Sequence, residues 1–143
     1  MKKTIYILLG PSGAGKTTLG EVMKTEYYAP ELVSTTTRKT RPGEIHGVNY
    51  YFISDEEFDN TEMLEKIIYS GFKYGLSRAE IENKLNDNNI VFVVLDKNGT
   101  EKIKELYSDI ANIVVIYCYC SSKTVYDRMI KRGMSLLDIE KRM

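Results

Sequence analysis

The sequence predicts an α/β fold, a parallel β-sheet flanked by helices, from two patterns that alternate along the chain. Apolar runs without polar alternation, typical of strands covered on both faces, lie at 4–9, 90–95 and 113–120, and the second of these strands is predicted to end at Asp96. Apolar residues at helical spacing predict helices at 16–27, 77–88, 101–107 and 123–131. Because strands that alternate with helices are joined by crossover connections, this order favours strands paired in parallel.

The first unit of the chain is a strand, a glycine-rich loop and a helix. The strand at 4–9 ends at Gly10, and a helix begins near Lys16. The loop between them, Gly10–Thr17, has the P-loop pattern, in which two glycines are followed by lysine and threonine. The glycines let successive backbone N–H groups face a phosphate, and the helix N-terminus adds its positive dipole end.

This loop predicts a site for the triphosphate of a purine nucleotide, with ATP as the expected ligand. Lys16 would reach the outer phosphates, and the hydroxyl of Thr17 would bind Mg²⁺. The residues expected to bind the nucleotide are Gly10, Pro11, Ser12, Gly13, Ala14, Gly15, Lys16, Thr17 and Thr18. The motif alone leaves the class open among kinases, GTPases and motor ATPases.

The middle of the chain predicts a small β-rich insertion. A weak strand at 32–35 precedes 36–47, which is rich in Thr, Arg, Pro and Gly and has no period, so we expect an ordered loop there. An aromatic and β-branched stretch at 48–53 predicts a strand, and Ser54 can start a helical turn. The stretch around Gly71 alternates poorly and completes the insertion.

The second half of the chain returns to strands and helices. Ser77 is expected to cap a helix that carries Ile81 and Leu85 inward, with Glu80 completing a capping box. The last strand, at 113–120, is apolar on both faces. Because an exposed apolar sheet edge invites pairing with another chain, we expect something to cover this strand.

Composition fits one folded domain and argues against several functions. The 143 residues are 43% hydrophobic and 28% charged, which is ordinary for a globular protein. Twenty basic and twenty acidic residues cancel, so no overall positive field attracts nucleic acid or an anionic membrane. No apolar run approaches the roughly 18 residues of a bilayer span. Cys118 and Cys120 suit neither a mutual disulfide nor a metal cluster, so we expect a cytoplasmic protein.

A second candidate anion site lies in the loop after the weak strand. Arg38 and Arg41 place two planar guanidinium groups in one loop, which suits a phosphate dianion, and Tyr50 can add a phenolic hydrogen bond. Two arginines in a loop can equally be solvated surface charge. The residues by themselves leave both interpretations open.

A segment of the first half of the chain closely resembles the acceptor-binding segment of guanylate kinases; it is Ser34–Phe52 and reads STTTRKTRPGEIHGVNYYF. The resemblance covers nearly the whole chain and extends to Glu65, the Tyr74-Gly75 pair, Asp96, Arg128, Arg132 and Arg142. It implies a P-loop nucleoside monophosphate kinase that converts ATP and GMP to ADP and GDP. It also implies one domain over 1–143, with its core at 1–35 and 78–131, a GMP-binding insertion at about 36–77, and a helical lid that begins at about 132–143.

The resemblance also implies roles for individual residues. Those that match guanine contacts in the family are Ser34, Glu65 and Asp96, and those that match contacts to the GMP phosphate are Arg38, Arg41, Tyr50 and Tyr74. A carboxylate such as Glu65 can accept both the N1–H and the 2-amino donors of guanine, a pair that adenine lacks. The groups expected to neutralise the transferred phosphoryl group are Lys16, Arg38, Arg41, Arg128, Arg132 and Arg142. No general base is expected, because the acceptor phosphate is already a nucleophile.

The chain departs from the family pattern in three places. Leu76 stands where the family usually has a serine or threonine that helps to read the base, and Val94 stands where an earlier aspartate is usual. Family members also continue beyond the position of Met143 through a last strand. We therefore expect the natural chain to be longer, or a second copy to cover the edge at 113–120.

Two other functions fit the same residues. One is a kinase for a different phosphorylated acceptor on the same fold, which Leu76 favours. The other is a non-catalytic guanylate-kinase-like module that binds a phosphorylated peptide. Such modules commonly have degraded P-loops, whereas Gly10–Thr17 is intact here.

Overall fold

The chain folds into strands and helices in a computed structural model that describes residues 2–11, 13–119, 122–131 and 133. In chain order the elements are β1 (Lys3–Leu9), α1 (Lys16–Glu26), β2 (Thr35–Thr36), β3 (Tyr51–Phe52), α2 (Asp55–Asp59), β4 (Met63–Tyr69), β5 (Phe72–Ser77), α3 (Arg78–Asp87), β6 (Ile90–Val94), α4 (Lys97–Tyr107), β7 (Ala111–Tyr117) and α5 (Ser122–Lys131). The strands form two sheets.

The first sheet is parallel and has the order β6-β1-β7, which confirms the predicted fold class. The central strand β1 is covered on both faces. Ile5 and Ile7 pack with residues of α3 and α4, whereas Leu8 packs with Met23 of α1 and Phe92 of β6. Burial of alternate residues on opposite faces explains why this strand has no polar alternation.

The predicted strand at 32–35 is wrong, because the chain there crosses from one sheet to the other. The N–H of Phe92 donates to the carbonyl of Pro30 at 3.1 Å, and the carbonyl of Phe92 accepts the N–H of Leu32 at 2.9 Å. A single parallel bridge joins Glu31 to Phe92 of β6, and β2 begins only at Thr35 in the second sheet. The N–H of Val33, between these points, donates to the Glu80 carboxylate instead of to a strand.

The second sheet has the order β3-β2-β5-β4 and is built within residues 35–77. β2 pairs parallel with β3 and antiparallel with β5, and β5 pairs antiparallel with β4. The β4–β5 hairpin turns at Ser70 and Gly71, whose φ angles of 50° and 81° suit a two-residue hairpin turn. The strand predicted at 48–53 shrinks to Tyr51–Phe52, because Val48 and Asn49 N–H groups donate to the Ile45 carbonyl in a turn.

The helices α2, α3 and α4 begin at side-chain caps. Ser54 caps α2 and Ser77 caps α3, as predicted, each by accepting the N–H three residues on. The other half of the predicted capping box, in which the Glu80 side chain reaches back to the cap residue, is wrong. The Glu80 carboxylate points into the protein instead, where it accepts the Val33 N–H. α4 begins four residues earlier than predicted because Asp96 caps it, accepting Gly99 N–H at 2.8 Å.

β7 is an edge strand within the described part of the chain, since it pairs there with β1 alone. It ends at Tyr117, short of the predicted 120, and Val114 and Tyr117 are exposed on it. None of the described helices combines the length and hydropathy needed to cross a bilayer. The predicted lid, including Arg132 and Arg142, lies outside the described residues apart from Gly133.

Candidate active site

The phosphate loop connects β1 to α1 through three glycines in left-handed conformations. Gly10, Gly13 and Gly15 have φ angles of 147°, 81° and 98°, and Gly15 is the N-cap of α1. Gly10 also faces the end of β7, where a Cβ would lie 2.2 Å from the Cys118 carbonyl oxygen. The backbone therefore requires glycine at this position. Ser12 lies outside the described residues.

Two predicted charge-neutralising residues meet at this loop. The Lys16 ammonium donates to the Gly10 carbonyl, and Arg128 Nη1, from α5, donates to the Gly13 carbonyl at 2.7 Å. Residues 13 and 128 are 115 apart in sequence, so only the fold brings them together. Thr17 is exposed in the first turn of α1.

A cavity of about 640 Å³ runs from the loop to the second sheet. It is lined by six of the predicted site residues, namely Gly10, Lys16, Ser34, Glu65, Tyr74 and Asp96. Both residues that depart from the family pattern, Leu76 and Val94, also line it. Leu76 is buried in the larger hydrophobic cluster and gives that part of the wall an apolar surface.

Two carboxylates meet in this cavity at the first turn of α4. Glu65 comes from β4 and Asp96 is the N-cap of α4. Gly99 lies between them, since a Cβ on it would be 2.7 Å from Glu65 Oε2 and 3.4 Å from Asp96 Oδ1. Burial, and then the negative charge of Asp96, raise the pKa of Glu65, while Lys102 opposes this shift. The pair offers closely spaced acceptors for a ligand with adjacent N–H donors.

Arg38 is the centre of a second group of predicted residues. Its guanidinium is buried and binds Glu44 through two parallel hydrogen bonds, Nη1 to Oε1 at 2.8 Å and Nη2 to Oε2 at 2.9 Å. It also lies over the Tyr50 ring, 5.5 Å from the centroid. Tyr50 packs edge-on against Tyr74, with 5.8 Å between ring centroids. The structure thus groups Arg38, Tyr50 and Tyr74, whereas the Arg41 side chain is exposed.

Glu44 is a functional candidate that the sequence reasoning missed. Besides Arg38, its Oε1 accepts the Arg41 N–H at 2.8 Å. The hydrogen bonds from Arg38, and then from the Arg41 backbone, lower the pKa of Glu44 to about 2. An acidic residue within six positions of two arginines in one loop was the signal available for it.

Fold and site together define a P-loop α/β protein in which a phosphate loop and a carboxylate-lined wall share one cavity. The family model for guanylate kinase matches residues 2–143. The chain belongs to the guanylate kinase family.

The relatives agree with this assignment. Guanylate kinase from Streptomyces kasugaensis is 41% identical over 112 residues, which cover 73% of this chain and 54% of the relative. Guanylate kinase from Chlamydia trachomatis serovar D is 33% identical over 144 residues, which cover 96% of this chain and 68% of the relative. The crystal structure of guanylate kinase from Anaplasma phagocytophilum matches with a TM-score of 0.64 at 27% identity, covering 91% of this chain and 68% of that one. The chain thus spans about half the length of the Streptomyces relative, at 54%.

Proposed function

We propose that this protein is a guanylate kinase, which transfers the terminal phosphoryl group of ATP to GMP and forms ADP and GDP. The observation that carries the proposal is the shared cavity, because Lys16 of the phosphate loop and the Glu65–Asp96 pair line the same space. A donor and an acceptor nucleotide could therefore bind with their phosphates facing each other.

The acceptor half of the cavity suits a guanine nucleotide. Glu65 and Asp96 present adjacent acceptors that match the N1–H and 2-amino donors of guanine, with Ser34 on the same wall. The GMP phosphate would bind Arg38, Arg41, Tyr50 and Tyr74. Glu44 and the Lys39 carbonyl take three of the five N–H donors of Arg38, which fixes the orientation of the guanidinium and leaves no more than two for a phosphate.

The donor half would act by positioning and by neutralising charge. Phosphoryl transfer needs little covalent help from a protein, so the work falls to cations around the moving group. These would be Lys16, Arg38, Arg41 and Arg128, together with Arg132 and Arg142. A divalent cation, which we take to be Mg²⁺, would neutralise phosphate charge when bound, and the exposed Thr17 hydroxyl suits a hard ion that is held mainly by phosphates.

The test is an ADP-release assay on the full-length natural chain with GMP, dGMP, IMP, AMP, CMP and UMP. GMP and dGMP should react fastest, and IMP should be slower because it lacks the 2-amino donor. Turnover with none of these acceptors would refute the proposal. Turnover only with another phosphorylated compound would favour a kinase for a different acceptor on the same fold. The observation that supports this alternative is the apolar surface that Leu76 gives to the cavity wall. Binding of a phosphopeptide without any binding of ATP would favour the non-catalytic module.

We further propose a cytoplasmic location, since a free thiol at the half-exposed Cys118 suits a reducing compartment. A homo-oligomer that covers β7 is also a proposal. A soluble, well-folded monomer of the full chain in light scattering would refute that homo-oligomer.

A further inference from the structure

Glu80, in the first turn of α3, is a buried carboxylate that binds a lysine of its own helix and two distant parts of the chain. Only 6% of the residue is exposed. Its Oε2 accepts the Val33 N–H at 2.6 Å and the Lys84 ammonium at 2.8 Å, and its Oε1 accepts the Tyr51 hydroxyl at 2.9 Å. Lys84 in turn donates to the carbonyl of Glu31 at 2.6 Å. We call Glu80, Tyr51, Lys84 and the Val33 N–H the Glu80 cluster.

The Glu80 cluster lies where the chain crosses between the two sheets. The first crossing runs from Glu31, bridged to β6, to Thr35 at the start of β2, and Val33 lies in its middle. The second crossing is the junction at which β5 ends and α3 begins, three residues before Glu80. The Glu80 carboxylate therefore connects the two crossings, because it follows the second and binds the N–H of Val33 in the first. Through the Tyr51 hydroxyl it also binds β3.

The cluster is also next to the acceptor half of the cavity without being part of it. Ser34, which lines the cavity, follows Val33 directly, and its carbonyl accepts the Tyr51 N–H at 2.9 Å. Tyr50, which packs against Arg38, directly precedes Tyr51. A shift in either partner of Glu80 would therefore move a residue of the acceptor site.

We propose that Glu80 is a positioning residue for the acceptor nucleotide: with Tyr51 and Lys84 it fixes where Ser34 and Tyr50 stand. A buried carboxylate costs free energy unless its acceptors are filled, so all three bonds favour this one arrangement of the crossings. Burial, and then the hydrogen bond to Glu80, raise the pKa of Tyr51, as expected for a phenol that donates to a carboxylate. The identity of the acceptor rests on the proposed function, whereas the coupling between the crossings does not.

Two substitutions test the inference, each with a matched control. Tyr51→Phe removes one hydroxyl from the Glu80 cluster, and Glu80→Gln keeps the shape but removes the charge. Glu82→Gln is the control on the exposed face of the same helix, and Tyr28→Phe is the control at a tyrosine that is 84% exposed. If Glu80→Gln fails to fold, Tyr51→Phe still decides the matter.

The first readout is steady-state kinetics of the full chain. Loss of one hydrogen bond should raise the KM for GMP about threefold to tenfold in Tyr51→Phe and Glu80→Gln. The KM for ATP and kcat should stay within about twofold, because none of the hydrogen bonds of the Glu80 cluster reaches a described residue of the phosphate loop. A GMP KM unchanged in both variants, or an equal loss for ATP and GMP, would overturn the positioning role.

The second readout is amide hydrogen exchange without nucleotide. The amides at positions 33 and 51 should exchange about threefold to tenfold faster in Tyr51→Phe than in the parent chain, while those of Ile5 and Ile7 should not change. Equal exchange at 33 and 51 would refute the coupling, whatever the acceptor is. If exchange responds as expected but the parent chain turns over no acceptor, the proposed function fails and the coupling stands.

Discussion

Replacing Gly10 with alanine tests whether the phosphate loop is held against the end of β7. The new Cβ would lie 2.2 Å from the Cys118 carbonyl oxygen, and real Cβ atoms essentially never approach closer than 3.0 Å. The two backbones must therefore part by at least 0.8 Å, the difference between these distances. The same backbones are joined by the hydrogen bond from Cys118 N–H to the Leu9 carbonyl at 2.7 Å, which this movement would stretch.

The expected cost follows from these contacts. Overpacking typically costs about 1–3 kcal/mol, one weakened backbone hydrogen bond about 0.5–1.5 kcal/mol, and a side chain in a strained left-handed conformation about 1 kcal/mol. We expect a loss of about 3–5 kcal/mol in the free energy of unfolding. At this chain length, about 1 kcal/mol shifts the midpoint of thermal unfolding by roughly 3–4 °C, so the midpoint should fall by roughly 10–20 °C.

The assay is thermal unfolding by circular dichroism, with Gly43→Ala as the matched control. Gly43 also has a positive φ, 86°, but nothing lies within 4 Å of its Cβ position, so alanine there adds strain without a clash. The control should lose about 1 kcal/mol, or roughly 3–4 °C. A Gly10→Ala midpoint within about 3 °C of the control would show that the loop is not pressed against β7.

Four further substitutions separate the two halves of the site. Glu65→Gln should weaken GMP binding about tenfold or more in calorimetry, because an amide cannot accept two donors as a carboxylate does. The raised pKa of Glu65 means that this carboxylate becomes protonated at a higher pH than an ordinary glutamate. The affinity of the parent chain for GMP should therefore fall on acidification at that higher pH, and Glu65→Gln should not show this fall. The raised pKa also means that the stability contributed by Glu65 is present in acid and lost as the pH rises through that pKa, so Glu65→Gln should not unfold more easily at pH 8. Asp96→Asn keeps the cap of α4 but removes the negative charge that helps to raise the pKa of Glu65. The fall in GMP affinity on acidification should therefore move to lower pH, and an unchanged pH profile would contradict the pairing of Glu65 with Asp96. Glu44→Gln should lower the free energy of unfolding, measured in urea, by a constant amount above about pH 4.5. The difference from the parent should disappear as the pH falls through about 2, because only the ionised form of Glu44 contributes this stability. Lys16→Met should reduce kcat about a hundredfold to a thousandfold while the thermal midpoint changes little, and a kcat within about tenfold of the parent would contradict its role.

The parts of the fold that the sequence predicted are those fixed by local pattern. The sequence predicted β1 correctly because both of its faces are covered, so an unbroken apolar run fills it from residue 5 to residue 9. The phosphate loop was predicted from the spacing of its glycines, lysine and threonine, a local pattern that is typical of a turn between a strand and a helix. The caps at Ser54 and Ser77 depend on an N–H three residues away, which is also a local relation.

The errors come from partners that are far apart in sequence. Glu80 fits a capping box by spacing, but its carboxylate accepts the N–H of Val33, 47 residues away, and the Tyr51 hydroxyl, 29 away. The same long-range bond explains why 32–35 is a crossing and not a strand. Sequence spacing carries no information about which distant donor will reach a buried acceptor.

The two sheets divide the candidate site between them. The phosphate loop and Asp96 follow β1 and β6, at the carboxyl edge of the parallel sheet where ligands of such folds collect. Glu65, Tyr74 and Arg38 belong to the second sheet or to the loop after β2. In the proposed reaction each sheet would therefore hold one phosphate, and the distance between the phosphates would depend on how the sheets are joined. Because transfer relies on positioning more than on covalent chemistry, the crossings at 31–35 and at Ser77 would matter through how well the acceptor is held, which is why we expect their loosening to raise the KM for GMP.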